Sequence, residues 1–170
     1  MLNKLKNSKY KDFIDYLLII IVVVIVRTFI VTPAIVSGAS MDDTLKDGQL
    51  VLLNKFVYRI KDIERFDIVV VKNEQGKDKI IKRVIGLPNE TIEYKDNKLY
   101  IDGKLVKTNL KFKKTNDFTT TTGENEYFVL GDNRVVSKDS REFGNFTKNE
   151  IAGKVTIRLF PFNKIGKIDK

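Results

Sequence analysis

The sequence predicts a mostly β domain behind a single N-terminal apolar helix. Three observations lead there. An apolar run near the start is long enough to span a bilayer, Pro33 closes it, and the chain beyond is built of short β-branched and aromatic runs parted by turn signals.

The first eleven residues, MLNKLKNSKYK, carry four lysines. Tyr16 to Val26 is then unbroken by a polar residue, Arg27-Thr28 interrupts, and Phe29-Ile30-Val31 resumes. A bilayer core takes roughly 17–25 mostly apolar helical residues. Phe13 to Val31 reaches that length if Asp15 and Arg27 sit at the two interfaces, where long side chains snorkel. Pro33 ends the helix soon after. The lysines place the N-terminus in the cytoplasm and the chain beyond the helix outside. A cleavable signal peptide fits the same basic-then-apolar pattern. A buried core helix fits less well, because the run has no polar face.

After Pro33, Gln49–Asn54, Asp67–Val71, Lys79–Ile85, Glu90–Tyr94, Leu99–Ile101, Tyr127–Leu130 and Val155–Phe160 read as strands. Asp47-Gly48, Pro88-Asn89, Asp96-Asn97, Asp102-Gly103 and Gly131-Asp132 read as turns between them. KLYIDGKLV is a tight hairpin about Asp102-Gly103. Strands this short and this closely spaced curl into a sheet or barrel. The polar, Thr-rich stretch 107–125 reads as a long loop or irregular extension.

Composition narrows the chemistry. The chain has no cysteine and no histidine. That excludes thiol nucleophiles, disulfides, thiolate or imidazole metal sites and a Ser-His-Asp triad. Asp, Glu, Lys and Tyr are left to move protons, so a hydroxyl nucleophile needs a lysine or carboxylate beside it. The net charge of +9 suits anionic lipid or nucleic acid. The lysines are spread along the chain and no nucleic-acid-binding motif is present, so a lysine-rich solvated surface accounts for the charge and no nucleic-acid partner is expected.

Three segments carry candidate chemistry. In Ser37-Gly-Ala-Ser-Met-Asp-Asp-Thr-Leu45, small residues flank Ser40, letting a substrate backbone approach and a backbone N–H meet an oxyanion. The plain alternative is a Ser/Gly turn joining anchor to domain. In Lys79–Glu90 the strand period puts Lys82 on one face with Ile80 and Val84, and Arg83 on the other with Ile81 and Ile85. Burial among aliphatics would lower the Lys82 pKa toward the range of a general base; an edge strand that lets both cations reach water is the alternative. In Gly131–Arg141, Asp132, Arg134, Asp139 and Arg141 are placed to form an ion-pair network, and Ser137 to hydrogen-bond a neutral lysine amine. A solvated Asx-rich turn is the alternative there.

The boxes resemble those of the type I signal peptidases. SGASMDDTL resembles the SMxPTL-type nucleophile box, RFDIVVV (65–71) the RGDIVV strand box, KRVIGLPNE (82–90) the lysine box, and GDNRVVSKDSREFG (131–144) the GDNRxxSxDSRxxG box, in the family's order. The resemblance implies a signal-peptidase-like β-sheet or barrel domain over 33–170, a membrane anchor over 13–32 and a basic cytoplasmic segment over 1–12. It implies Ser40 as nucleophile and Lys82 as general base, with Ser137 orienting the lysine. It also implies Asp132, Arg83, Asp139 and Arg141 as residues that hold the site together, with Gly38 and Met41 at the oxyanion position and substrate groove. The implied activity is removal of signal peptides from secreted preproteins after small residues in an Ala-x-Ala pattern, at the bacterial cell membrane, without metal or cofactor. The implied partners are preprotein signal peptides and the lipid bilayer.

Three positions depart from the family pattern. Asp43 stands where proline is usual, and Phe66 and Asn89 where glycine is usual. A carboxylate at 43 close to Lys82 would raise the lysine's pKa and oppose its role as base. A specialised or non-catalytic homologue serving surface-structure assembly is therefore a rival reading. A self-cleaving serine–lysine regulator is a further one, opposed by the anchor.

Overall fold

The structure, a computed structural model, describes residues 2–72 and 79–168, with side chains described from Tyr10. Met1 and 169–170, the outer ends of the expected basic segment and catalytic domain, lie outside the described residues.

Helix α1 (Leu2–Ile25) runs into one turn of π-helix, Val26–Ile30. Tyr10–Ile30 is a 21-residue stretch of mean hydropathy 2.6 with none of its apolar window buried in the protein. An all-round apolar surface with no protein covering it is what a bilayer would solvate.

The apolar run ends earlier than its sequence suggests. Val31 and Thr32, expected in the anchor, belong to strand β1 (Val31–Ile35), which pairs antiparallel with β2 (Leu50–Asn54). Extended, β-branched Val31 and Thr32 find a pairing partner in β2, and Pro33 fits because β1 is the edge of its sheet, where a missing N–H costs no ladder bond.

The remaining strands are β3 (Ile68–Lys72), β4 (Lys79–Gly86), β5 (Thr91–Lys95), β6 (Lys98–Ile101), β7 (Lys104–Leu105), β8 (Phe118–Thr121), β9 (Glu126–Leu130), β10 (Phe146–Thr147), β11 (Ile151–Phe160) and β12 (Gly166–Lys167). Between β9 and β10 lies the single-turn helix α2 (Ser140–Phe143). The larger sheet runs β1-β2-β11-β3-β4-β9-β10, with β12 beside β11. Register shifts in β11 against both neighbours and in β4 against β9 curl it. The smaller sheet runs β7-β6-β5-β8. Its strand β8 lies inside the stretch expected to be loop. Four residues with only half-buried alternation give too short a signal, and pairing with β5 supplies the order.

Apolar side chains of both sheets meet in the core. One cluster joins Val36, Met41, Leu45, Val51 and Val155, a second Val69, Val71, Val84 and Val129, and a third ties the sheets through Ile85, Ile92, Phe128 and Leu130. Gly86 makes the third possible: a Cβ there would stand 2.6 Å from Ile92 Cδ1 and 3.0 Å from Phe128 Cβ.

Candidate active site

Ser40 sits in the loop between β1 and β2. Val36 N–H donates to the Gln49 carbonyl at 2.8 Å and Gly48 N–H returns to that of Val36 at 2.9 Å, closing the loop. Met41 and Leu45 are 1% and 0% exposed and pin it to the core. Met41 therefore does not line the substrate groove, as the resemblance implied; an apolar side chain next to Ser40 is worth more as the loop's buried foot. Gly38 does border the cleft. Its φ of +84° lies in the left-handed region, and its N–H donates to Asp47 Oδ1 at 2.7 Å.

Lys82 lies on β4 opposite Val69, on the face that also carries Ile80 and Val84, as strand periodicity predicts. The side chain is 3% exposed. Its Nζ is hydrogen-bonded to Ser40 Oγ at 2.7 Å across 42 residues of sequence. Burial brings the Lys82 pKa from 10.5 down to about 8. The carboxylates of Asp139 and then Asp132 pull it back up, and the Arg141 cation opposes them. Asp43 is not among these influences. Its side chain is exposed, on left-handed backbone at φ +85°. The expected carboxylate effect at 43 is thus carried by Asp139 and Asp132 instead.

Behind the pair, Arg83 grips Asp132. Arg83 Nε donates to Oδ1 at 2.9 Å and Nη2 to Oδ2 at 2.8 Å, both residues being 1% exposed or less. This two-point pair holds the 131–141 loop against β4. Arg83 also donates to the Phe66 carbonyl at 2.9 Å, and Thr44 Oγ1 donates to Asp132 Oδ2, linking the Ser40 loop to the same pair. Phe66 at φ +69° and Asn89 at φ +62° occupy left-handed backbone at the two positions where the family pattern has glycine.

The loop's own charges do not form one network. Asp139, fully buried, accepts from the Gly131 N–H at 3.0 Å and from Arg141 Nε at 2.8 Å, and caps α2. Asp132 is taken by Arg83 across 49 residues, leaving Arg134 to stack instead on Tyr94 and Phe112. Ser137 does not bond Lys82: its Oγ is buried without a partner among the described residues. It packs against Gly131, where an added Cβ would collide with Ser137 Oγ and with the Ser40 carbonyl.

Three contributors escaped the sequence reading. Asn133 donates from Nδ2 to the Ala39 carbonyl and from its N–H to that of Ser40, each at 3.0 Å. Thr44 and Gly131 are the others. All lie within the quoted boxes; only long-range contact reveals what they hold. A cleft of about 430 Å³ opens on Ser40 and Lys82, walled by Ser37, Gly38, Ile80, Val136 and Phe143. Among the described residues no cluster of acidic side chains is arranged to hold a metal ion.

Comparison with known proteins shows the family. Residues 11–160 match the family model described as signal peptidase, peptidase S26. Signal peptidase IB of Staphylococcus aureus is 37% identical over 179 residues, covering 91% of this chain and 93% of its own. Signal peptidase I of Bacillus amyloliquefaciens is 38% identical over 181 residues, covering 96% and 97%. The crystal structure of a signal peptidase I from Enterococcus faecalis aligns with a TM-score of 0.51 at 38% identity, covering 57% of this chain and 99% of its own. With most of both lengths aligned and the sheet in common, the chain belongs to the signal peptidase family S26 and is a type I signal peptidase, a serine endopeptidase.

Proposed function

We propose that the chain is a membrane-anchored peptidase that removes signal peptides with Ser40 as nucleophile and Lys82 as general base, cutting after small residues. The observation that carries this reading is the 2.7 Å contact between Lys82 Nζ and Ser40 Oγ, made by a lysine whose pKa burial brings down to about 8. At pH 7 roughly a tenth of such lysines are neutral, against about three in ten thousand at the ordinary value.

Neutral Lys82 takes the hydroxyl proton as Ser40 Oγ attacks the scissile carbonyl. Among the described residues the Ser40 N–H has no intrachain acceptor, so it is free to meet the oxyanion. The Gly38 N–H is spent on Asp47. The lysine then delivers its proton to the leaving amine, and water resolves the acyl-enzyme. The aliphatic and small residues walling the cleft leave room for small side chains, and an extended substrate would lie along a strand edge. Tyr10–Ile30 is retained as the anchor that brings the cleft to its substrates, with the basic N-terminus in the cytoplasm and the catalytic domain outside.

Cleavage of an Ala-x-Ala preprotein in liposomes by wild type, Ser40→Ala and Lys82→Ala tests this. Cleavage by wild type alone supports the dyad. Undiminished cleavage by either variant would overturn it.

A further inference from the structure

Away from the dyad, the stretch 107–115 folds over the smaller sheet and leaves two adjoining clefts, of about 750 and 530 Å³, that share Asn97 and Thr115. Lys98, Lys107, Lys111 and Lys113 line the first. Lys114, Arg134 and Arg141 line the second. Among the described residues no Asp or Glu lines either one. Five of the lysines that the sequence scatters line this concave surface.

Arg134 points to what that surface takes. It is 2% exposed, and its ring contacts, 4.4 Å to Phe112 and 4.9 Å to Tyr94, hold the guanidinium flat. Nε donates to the Gly131 carbonyl at 2.8 Å. Among the described residues Nη1 and Nη2 have no acceptor at hydrogen-bond geometry, the neutral Tyr94 hydroxyl being the polar group beside them, and no carboxylate lies within ion-pair distance. Arg141, by contrast, is neutralised by Asp139. Burying a charge without a counterion costs several kcal/mol, so a guanidinium left this way is short of an anion. Its free edge suits two oxygens of a tetrahedral oxyanion.

We propose that these clefts form a binding site for phosphate groups, with Arg134 at its floor and Lys111, Lys113 and Lys114 at its mouth. Phosphate offers the paired oxygens that the fork requires and the charge that the lysines lack. A lipid headgroup phosphodiester and a free phosphate share this chemistry. The site stands apart from the peptidase reading and does not depend on it. Binding requires the 107–115 segment to shift enough to open the guanidinium edge.

The test uses the full chain in a nonionic detergent, with calorimetric titration of inorganic pyrophosphate and, separately, of monomeric dihexanoylphosphatidylglycerol. Saturable one-to-one binding is expected. It should weaken at least tenfold in Lys111→Glu/Lys113→Glu/Lys114→Glu and in Arg134→Gln, but less than twofold in the charge-matched control Lys61→Glu/Lys72→Glu/Lys167→Glu. The three lysines at the mouth are exposed, so the first variant keeps the test valid if Arg134→Gln fails to fold. Tighter binding of the lipid identifies a headgroup as the source, and tighter binding of pyrophosphate a soluble phosphate; either supports the site. Equal weakening in cleft and control variants, or no saturation with either probe, would overturn it.

Discussion

Lys82 is held where its charge is least welcome. Three per cent exposed among Ile80, Val84 and Val69, it loses hydration that its one hydroxyl partner cannot replace. Cleavage of preprotein, measured as kcat/KM, should therefore rise with pH through about 8. Lys82→Met should lower it roughly 10²–10⁴-fold and remove that limb. The same burial acts on stability with a definite sign. Between about 8 and 10.5 the unfolded chain binds the proton that the folded chain has released, so stability rises with pH across that window. Below about 8 the penalty is present in full. Lys82→Met should then raise stability at pH 7 by ~1–3 kcal/mol, a gain that fades toward pH 10.5 in thermal melts taken across pH. Arg83 and Asp132 behave oppositely, because each is the other's counterion in a site closed to water. Asp132→Ala leaves the guanidinium buried and unpaired, and denaturant unfolding should show a loss of about 3–5 kcal/mol.

At the scale of the element, the 36–49 loop is built to present one hydroxyl. Its ends are tied by the Val36, Gly48 and Gln49 backbone bonds, its interior is pinned by Met41 and Leu45, and Asn133 holds the carbonyls of Ala39 and Ser40. Asp43 lies in this loop at φ +85°, a conformation the proline ring forbids. Asp43→Pro, the substitution that would restore the family's usual residue, should cost about 3 kcal/mol or more. Asp43→Gly should gain about 0.5–1 kcal/mol, the pair being compared by thermal melting. Gly131 is the corresponding point on the opposing loop. A Cβ there displaces Ser137 Oγ or the Ser40 carbonyl, so under the proposed roles Gly131→Ala should lower kcat about 10²-fold by moving the Ser40 hydroxyl, with KM little changed in steady-state cleavage assays.

At the scale of the whole molecule, the helix and the sheet meet without a spacer. The apolar stretch ends at Ile30 and β1 begins at Val31, so the strand leading to the Ser40 loop starts where the anchor stops. A peptidase reading with a bilayer-held substrate suits this arrangement, because a short tether confines the cleft to the membrane surface. The full chain should remain in the membrane pellet after alkaline carbonate washing. In intact cells its catalytic domain should be open to protease added outside, as monitored by immunoblotting.

Fold class, the apolar segment and the chemical boxes are legible without any structure. Those are written in local patterns: period-two runs with β-branched residues, two-residue turns, an unbroken apolar stretch and an absence of histidine and cysteine that leaves a lysine or a carboxylate to serve a hydroxyl nucleophile. Periodicity also put Lys82 and Arg83 on opposite faces of β4, because side-chain alternation needs no knowledge of the partner strand. What lies across the fold was decided only by tertiary structure. Asp132 has Arg134 two residues away and Arg83 forty-nine away, and it is the distant one that the curled sheet delivers. Ser137 was expected on Lys82 and instead packs against Gly131, while Met41 faces the core and not the groove. Val31, Thr32 and Phe118–Thr121 became strands because β2 and β5 were there to pair with them. Local preference sets which conformations are cheap, but a hydrogen bond or an ion pair exists only where packing brings both partners together, and those distances are set by the sheet as a whole.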